Sequence, residues 1–252
     1  MHFLFRQRSA EPPPAVEPVS GAFPPIVGAE IAAAFIGQRI AGDFYDAIRV
    51  SPERVLFGLL DVSGRREEIR PLLAVAQSIF RTRGSDLFSL ADINESNVMT
   101  ELSLEINRAL IETSRTVNSC PAFIGCYHEK FGTLCYTNAG HTPGLLRDAT
   151  GITELGPTGL PLGLFSHATC DAPIVGLEKG SVLLLVSRGV VETGGDHDDA
   201  EFGLARVKDL LQHDPTEGAQ ALCTSLLNAV SDFDRDSPVH DDRTALALVR
   251  TA

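Results

Sequence analysis

Asp43, Asp61 and the pair Asp241–Asp242 are the residues whose type and placement invite chemistry. Asp43 opens the run DFYDAIRV, Asp61 closes the apolar run VLFGLL, and Asp241 and Asp242 lead into TALALV. One carboxylate at a strand end is ordinarily a solvated turn residue. Several that meet in space either raise one another's pKa or recruit a cation. Clustered carboxylate oxygens with water suit the hard cations Mg2+ and Mn2+. A second stretch, VLLLVSRGVVET (182–193), places the guanidinium of Arg188 at the mouth of a buried-strand pattern. Either it is idle in solvent or it answers nearby negative charge.

These residues need elements to hold them. After Gly42, DFYDAIRV, the turn-like SPER and VLFGLLDVSG read as a β-hairpin. With the turn centred between Pro52 and Glu53, Asp43 falls opposite Val62, at the same open end as Asp61. That shared end survives a one-residue slip; the face each side chain uses does not. EEIRPLLAVAQSIF, with Pro71 near its start, reads as a helix. In NVMTELSLEINRALIETS, Val98, Leu102, Ile106 and Leu110 mark one buried helical face. AFIGCYHE, TLCYTNAGH, PGLLRD and SVLLLVS read as strands, with FGT and GHTPG as turns. LARVKDLL and GAQALCTSLLNAV read as helices, the second starting near Thr216 with Ala219, Leu222, Leu226 and Val230 on its apolar stripe. TALALVR closes the chain as a strand. Strands, a helix pair, strands, a helix pair and a last strand imply an α+β fold of antiparallel sheets covered by helices.

Length and composition bound the function. At 252 residues one domain is expected, with residues 1–26, rich in proline, as an extended or mobile lead-in. A net charge of −12 argues against nucleic acid, whose phosphates demand a basic surface. No apolar run is long enough to span a membrane, and the start MHFLFRQRSAEPPP is too short for a secretory signal, so a cytoplasmic protein is expected. The five cysteines contain no CxxC pair and read as reduced, mostly buried thiols. Ser63 and His141 do not form a hydrolase pair, because DVSG is not a GxSxG elbow. His141 and Asn138 read as turn-holding residues, and His197 among Asp196, Asp198 and Asp199 as a solvated acidic loop.

AGDFYD (41–46), DVSG (61–64), NAGHTP (138–143), GLPLGL (159–164), FGLARV (202–207) and DDRT (241–244) resemble, in order, the SpoIIE-like branch of the PPM-type metal-dependent serine/threonine phosphatases. The resemblance runs from about Gly28 to Arg250 and implies a phosphatase domain over 27–252. It implies an α-β-β-α sandwich, two central, mostly antiparallel sheets flanked by helix pairs, with Mg2+ or Mn2+ at one edge. Carried over by motif, Asp43 would bind the second metal and Asp61 would bridge both. The Val62 carbonyl would complete the second site, and Asp242 would hold the first, with Asp241 and Gly42 in support. Family chemistry then uses a water held between two ions to attack phosphorus in line. The implied substrate is a phosphoserine or phosphothreonine protein, such as a phosphorylated anti-sigma-factor antagonist in bacterial partner switching. The sequence shows no sensor segment, so a separate regulator or a homodimer is expected to supply control.

The chain departs from the family at the strand-ending motif. Where threonine or serine, aspartate and glycine are usual, it reads Ser187, Arg188, Gly189. Arginine cannot ligate a cation and repels one. The expectation is that Arg188 pairs with Asp242 or Asp61, partly replaces the first metal and leaves one ion at the second site. The activity is then weakened, or the chain is a pseudophosphatase that binds a partner without hydrolysis.

Overall fold

The computed structural model describes residues 23–37, 42–62, 66–114, 119–194, 201–213, 218–234 and 241–252. The expected hairpin is β2 (Asp43–Ser51) and β3 (Arg54–Asp61). Its register corrects the sequence reading by one residue: Asp43 lies opposite Asp61, not Val62. A bulge is the cause. Ser51 pairs with Arg54 but Arg49 pairs with Val55, so Val50 is an extra residue that shifts everything beyond it.

The helix that follows, α1 (Arg66–Phe88), carries Pro71 in its second turn and runs further than its sequence pattern marked. Next comes α2 (Glu95–Thr113), started by Asn94, whose side chain accepts from the Asn97 amide at 3.0 Å. Its buried face carries Met99, Leu102, Ile106 and Leu110, with Val98 at the margin. β4 (Ala122–His128), β5 (Thr133–Ala139), β6 (Gly144–Asp148) and β9 (Val182–Val186) are the expected strands. The sequence reading missed β1 (Ala29–Ile36), β7 (Gly151–Leu155) and β8 (Ile174–Gly176). The short α3 (Arg188–Val191) follows β9, and α4 (Gly203–His213), α5 (Ala219–Phe233) and β10 (Arg243–Arg250) complete the order.

Two five-stranded sheets result, β1-β10-β9-β6-β7 and β2-β3-β4-β5-β8, with antiparallel pairing between the named strands. Strand alternation sends side chains into three apolar interfaces. Leu56 and Leu60 of β3 pack on α1 and α2 with Phe80, Leu102 and Ile106. The intervening Val55, Phe57 and Leu59 face the other sheet and meet Leu246, Leu248, Leu183 and Leu185. On the far side, Ala245, Ala247, Leu184 and Val186 receive α4 and α5 through Val207, Leu222, Leu226 and Val230. This is the α-β-β-α sandwich, and β3 is buried on both faces.

Phe23 packs edge-on against Tyr45, and the Pro25 carbonyl accepts from Arg49, so the chain meets the sandwich before β1. Residues 1–22, and with them most of the expected lead-in, lie outside the described residues. So do Ala41, Ser63, Arg65, His197 with its flanking aspartates, and Thr216. All five cysteines are free and buried. Among the described residues no helix is long and apolar enough to cross a membrane.

At the end of β3 away from Asp61, Arg54 is buried and fixes the helix layer. Its Nε lies 2.6 Å from Glu95 at the start of α2, and its Nη atoms donate to the Leu90 and Ala91 carbonyls. Arg54→Met would leave the Glu95 carboxylate buried without its cation, at a cost of roughly 3–5 kcal/mol. Urea unfolding should show a lowered midpoint with an unchanged slope.

Candidate functional site

The two sheets place their ends at one edge. From one sheet come Asp43 at the start of β2 and Asp61 at the end of β3, directly paired across the strands. From the other come Ser187, just after β9, and Asp241 and Asp242, just before β10. A hydrogen bond joins the sheets: the Thr244 hydroxyl donates to Asp43 Oδ2 at 2.6 Å.

Backbone contacts build the edge. The Val62 amide donates to the Gly42 carbonyl at 3.1 Å. A Cβ on residue 42 would stand 2.3 Å from the Val62 carbonyl oxygen, so only glycine lets the chain pass there. Gly189 does the same beside Asp242, whose carbonyl oxygen would lie 2.1 Å from an added Cβ. Ser187 completes this side. Its amide donates to the Thr244 carbonyl at 2.9 Å, its hydroxyl donates to the Asp242 carbonyl at 3.2 Å, and it accepts from the Thr244 amide at 3.0 Å. From below, the NAGHT turn supports β9. The Asn138 carboxamide oxygen accepts from the His141 amide at 2.8 Å, and the Thr142 hydroxyl donates to the Val186 carbonyl. His141 and Asn138 thus hold a turn, as their motif suggested.

Electrostatically the edge is crowded with negative charge. Burial, then the neighbouring Asp61, push the Asp43 carboxyl well above its ordinary range, against hydrogen bonds from Thr244 and Ser187. Burial raises Asp61 to about 6, opposed by Arg188 and reinforced by Asp241, Glu192 and Asp242. Arg188 is therefore not idle. Its Nε lies 3.5 Å from Asp61 Oδ2 and 3.8 Å from Glu192 Oε2, and its Nη2 lies 3.4 Å from Asp241 Oδ2. Of the two carboxylates expected to receive it, Asp61 does, joined by Asp241 and Glu192.

The Stage II sporulation protein E (SpoIIE) family matches residues 51–251. The chain belongs to the SpoIIE family. Its fold is that of the PPM-type phosphatases. The RsbU and RsbW domains of Rv1364c from Mycobacterium tuberculosis are 25% identical, with a TM-score of 0.70 over 89% of this chain and 60% of that one. The PP2C phosphatase domain of SpoIIE from Bacillus subtilis, with a fragment of its regulatory domain, is 14% identical, with a TM-score of 0.70 over 88% and 63%. RsbX in complex with magnesium is 13% identical, with a TM-score of 0.62 over 88% and 94%. The chain thus spans less than two thirds of the first two proteins. No curated protein matches it.

Tested against a divalent ion, the edge divides. Asp43, Asp61 and the Val62 carbonyl, seated by Gly42, offer hard oxygens in a cradle that a Cβ would fill. On the Asp242 side the Arg188 guanidinium stands among Asp61, Asp241 and Glu192, and a guanidinium cannot ligate a cation. Among the described residues, no three carboxylate, imidazole or thiol groups gather as one metal-holding cluster.

Thr244 and Ser187 were motif residues to which the sequence reading gave no role. The available signal was a hydroxyl at the head of the otherwise apolar TALALV, on the strand that follows Asp242.

Two pH effects follow. A cation held by Asp43 and Asp61 would compete with a proton on each, so Mn2+ affinity should fall by about tenfold or more per pH unit below about 6, measured by calorimetry. His141 is buried, which pushes its pKa down to about 4. Its neutral form is favoured by folding, so its contribution is whole above the unfolded value near 6.5 and is lost as pH falls towards 4. The loss approaches about 3 kcal/mol. Urea midpoints of the metal-free protein should show a shallower acid decline in His141→Gln than in the wild type.

Proposed function

We propose that the chain is a metal-dependent protein phosphatase acting on phosphoserine or phosphothreonine, slower than a two-ion enzyme. The observation that carries this reading is the direct pairing of Asp43 and Asp61 beside the Val62 carbonyl. A divalent ion held there by Asp43, Asp61 and Val62 would supply Lewis-acid charge and make a water more acidic. Asp61 belongs to both halves of the edge: it faces the proposed ion and pairs with Arg188. Thr244 holds Asp43 in place through its Oδ2. Asp242 and Asp241 stand across from them on the second sheet, and the Arg188 guanidinium is 44% exposed, open to an arriving phosphate.

The substrate we propose is a phosphorylated antagonist of an anti-sigma factor, supported by similarity to the RsbU–RsbW protein. Control by a separate regulator or a second copy belongs to the same reading, as does a place in the cytoplasm, which suits five reduced thiols. Arg188 favours a second reading, a pseudophosphatase that binds a phosphorylated partner and does not hydrolyse it.

Hydrolysis of p-nitrophenyl phosphate and of a phosphoserine peptide with Mn2+ separates the two. The enzyme reading expects wild-type turnover that falls by about 100-fold or more in Asp61→Asn. Absence of wild-type turnover, with a gain in Arg188→Asp, would establish the binding protein instead.

A further inference from the structure

The edge holds five carboxylates, Asp43, Asp61, Asp241, Asp242 and Glu192, and their positive partners are unevenly placed. Arg188 stands on one side, within 3.4–3.8 Å of Asp241, Asp61 and Glu192. Asp43 stands on the other. Its partners are the Thr244 and Ser187 hydroxyls, and no cationic side chain of the described residues forms an ion pair with it. Positive charge is therefore supplied from within the chain on the Asp241 side and is still required on the Asp43 side.

We propose that this centre takes one divalent cation, between Asp43, Asp61 and the Val62 carbonyl, and that the Arg188 guanidinium serves as the second positive charge, binding a phosphoryl oxygen directly. The phosphoryl part rests on the phosphatase reading; the cation count does not. A second ion among Asp61, Asp241 and Asp242 would have to displace the guanidinium or share its carboxylates with a like charge. Displacement is opposed by three carboxylates from separate segments: the end of β3, the turn of α3 and the lead into β10.

Arg188 is also suited to meet a phosphate. Its ion pairs use Nε and Nη2, and no hydrogen bond to Nη1 is recorded among the described residues. The planar fork keeps its charge at any working pH and matches phosphate oxygens in pairs. Its backbone is fixed independently of its side chain, because Ser187 and Gly189 make the contacts to Asp242 and Thr244. Nη1 can therefore meet a phosphoryl oxygen while Nε and Nη2 keep their carboxylates.

Calorimetric titration with Mn2+ tests the count, and titration of the Mn2+-loaded protein with inorganic phosphate tests the guanidinium. The expected stoichiometry is one Mn2+ per chain in the wild type, one in Arg188→Met and two in Arg188→Asp. Phosphate affinity should fall tenfold or more in Arg188→Met and recover partly in Arg188→Lys. Two ions bound by the wild type, or an Arg188→Asp protein that folds and still binds one, would overturn the cation count. Unchanged phosphate affinity in Arg188→Met would overturn the role of the guanidinium. Both methionine and lysine keep a long unbranched stem at this position, so the test survives if Arg188→Asp does not fold. A wild type that binds one Mn2+ and phosphate but hydrolyses no phosphoserine peptide would remove the phosphatase reading and leave this inference standing.

Discussion

Like charge held at close range is the condition on which this molecule is built. Asp43 faces Asp61 across a strand pair, and Asp241 and Asp242 approach from the other sheet. In water these groups would separate. Here they cannot, because each is attached to a strand end whose body is committed to an apolar interface. β3 is buried along its whole length, and β10 has Leu246 and Leu248 on one face and Ala245 and Ala247 on the other. Sliding either strand to relieve the repulsion would expose one apolar set or bury a polar one. Burial is the larger cause of the raised pKa values of Asp43 and Asp61, the neighbouring carboxylates add to it, and Arg188 opposes it at Asp61.

The same arrangement explains how an arginine can enter the strand-ending motif without disturbing the fold. Three consecutive residues divide the labour. Ser187 joins β9 to β10 through its amide and hydroxyl, and Gly189 lets the chain pass the Asp242 carbonyl. The side chain between them carries the charge that faces the edge carboxylates. A change there alters the charge of the centre and leaves its scaffold intact, whereas a larger residue at 189 would push Asp242 itself out of place. Thr244 extends the scaffold across the sandwich, since its hydroxyl reaches Asp43 on the opposite sheet. The two halves of the site are thereby fixed by hydrogen bonds that ask nothing of residue 188.

Elements with strong periodicity were legible in the sequence: the hairpin, both helix pairs and the strands of VLLLV and TALALV. β1 was not, because AEIAAAFI is rich in alanine, which favours helices in isolation and lacks β-branched bulk. It becomes a strand because its small side chains pair along β10 from Ala29 to Ile36. β7 and β8 are short and partly exposed, so alternation had too few residues to mark them. The one-residue error at Asp43 came from Val50, since a bulge costs no unusual residue type and leaves no local signature. The convergence of Asp43, Asp61 and Asp242 is a long-range fact that pattern alone could not supply. The resemblance named the residues; the geometry supplied the Thr244 and Ser187 links and chose Asp61 as a partner of Arg188.

Replacing a cation by a guanidinium divides the work of a two-ion centre unequally. A guanidinium neutralises phosphoryl oxygens and aligns them through a rigid fork, so substrate binding and charge stabilisation are largely preserved. It has no vacant orbital for a water and so cannot acidify one, and that burden would fall on the ion proposed between Asp43 and Asp61. Asp61 pairs with Arg188, so it would be shared with that ion, and each positive charge would lower the basicity offered to the other. A centre of the proposed kind would therefore lose more in making its nucleophile than in holding its substrate. On the proposed reading, that imbalance would favour a protein that binds a phosphorylated partner readily and hydrolyses it slowly.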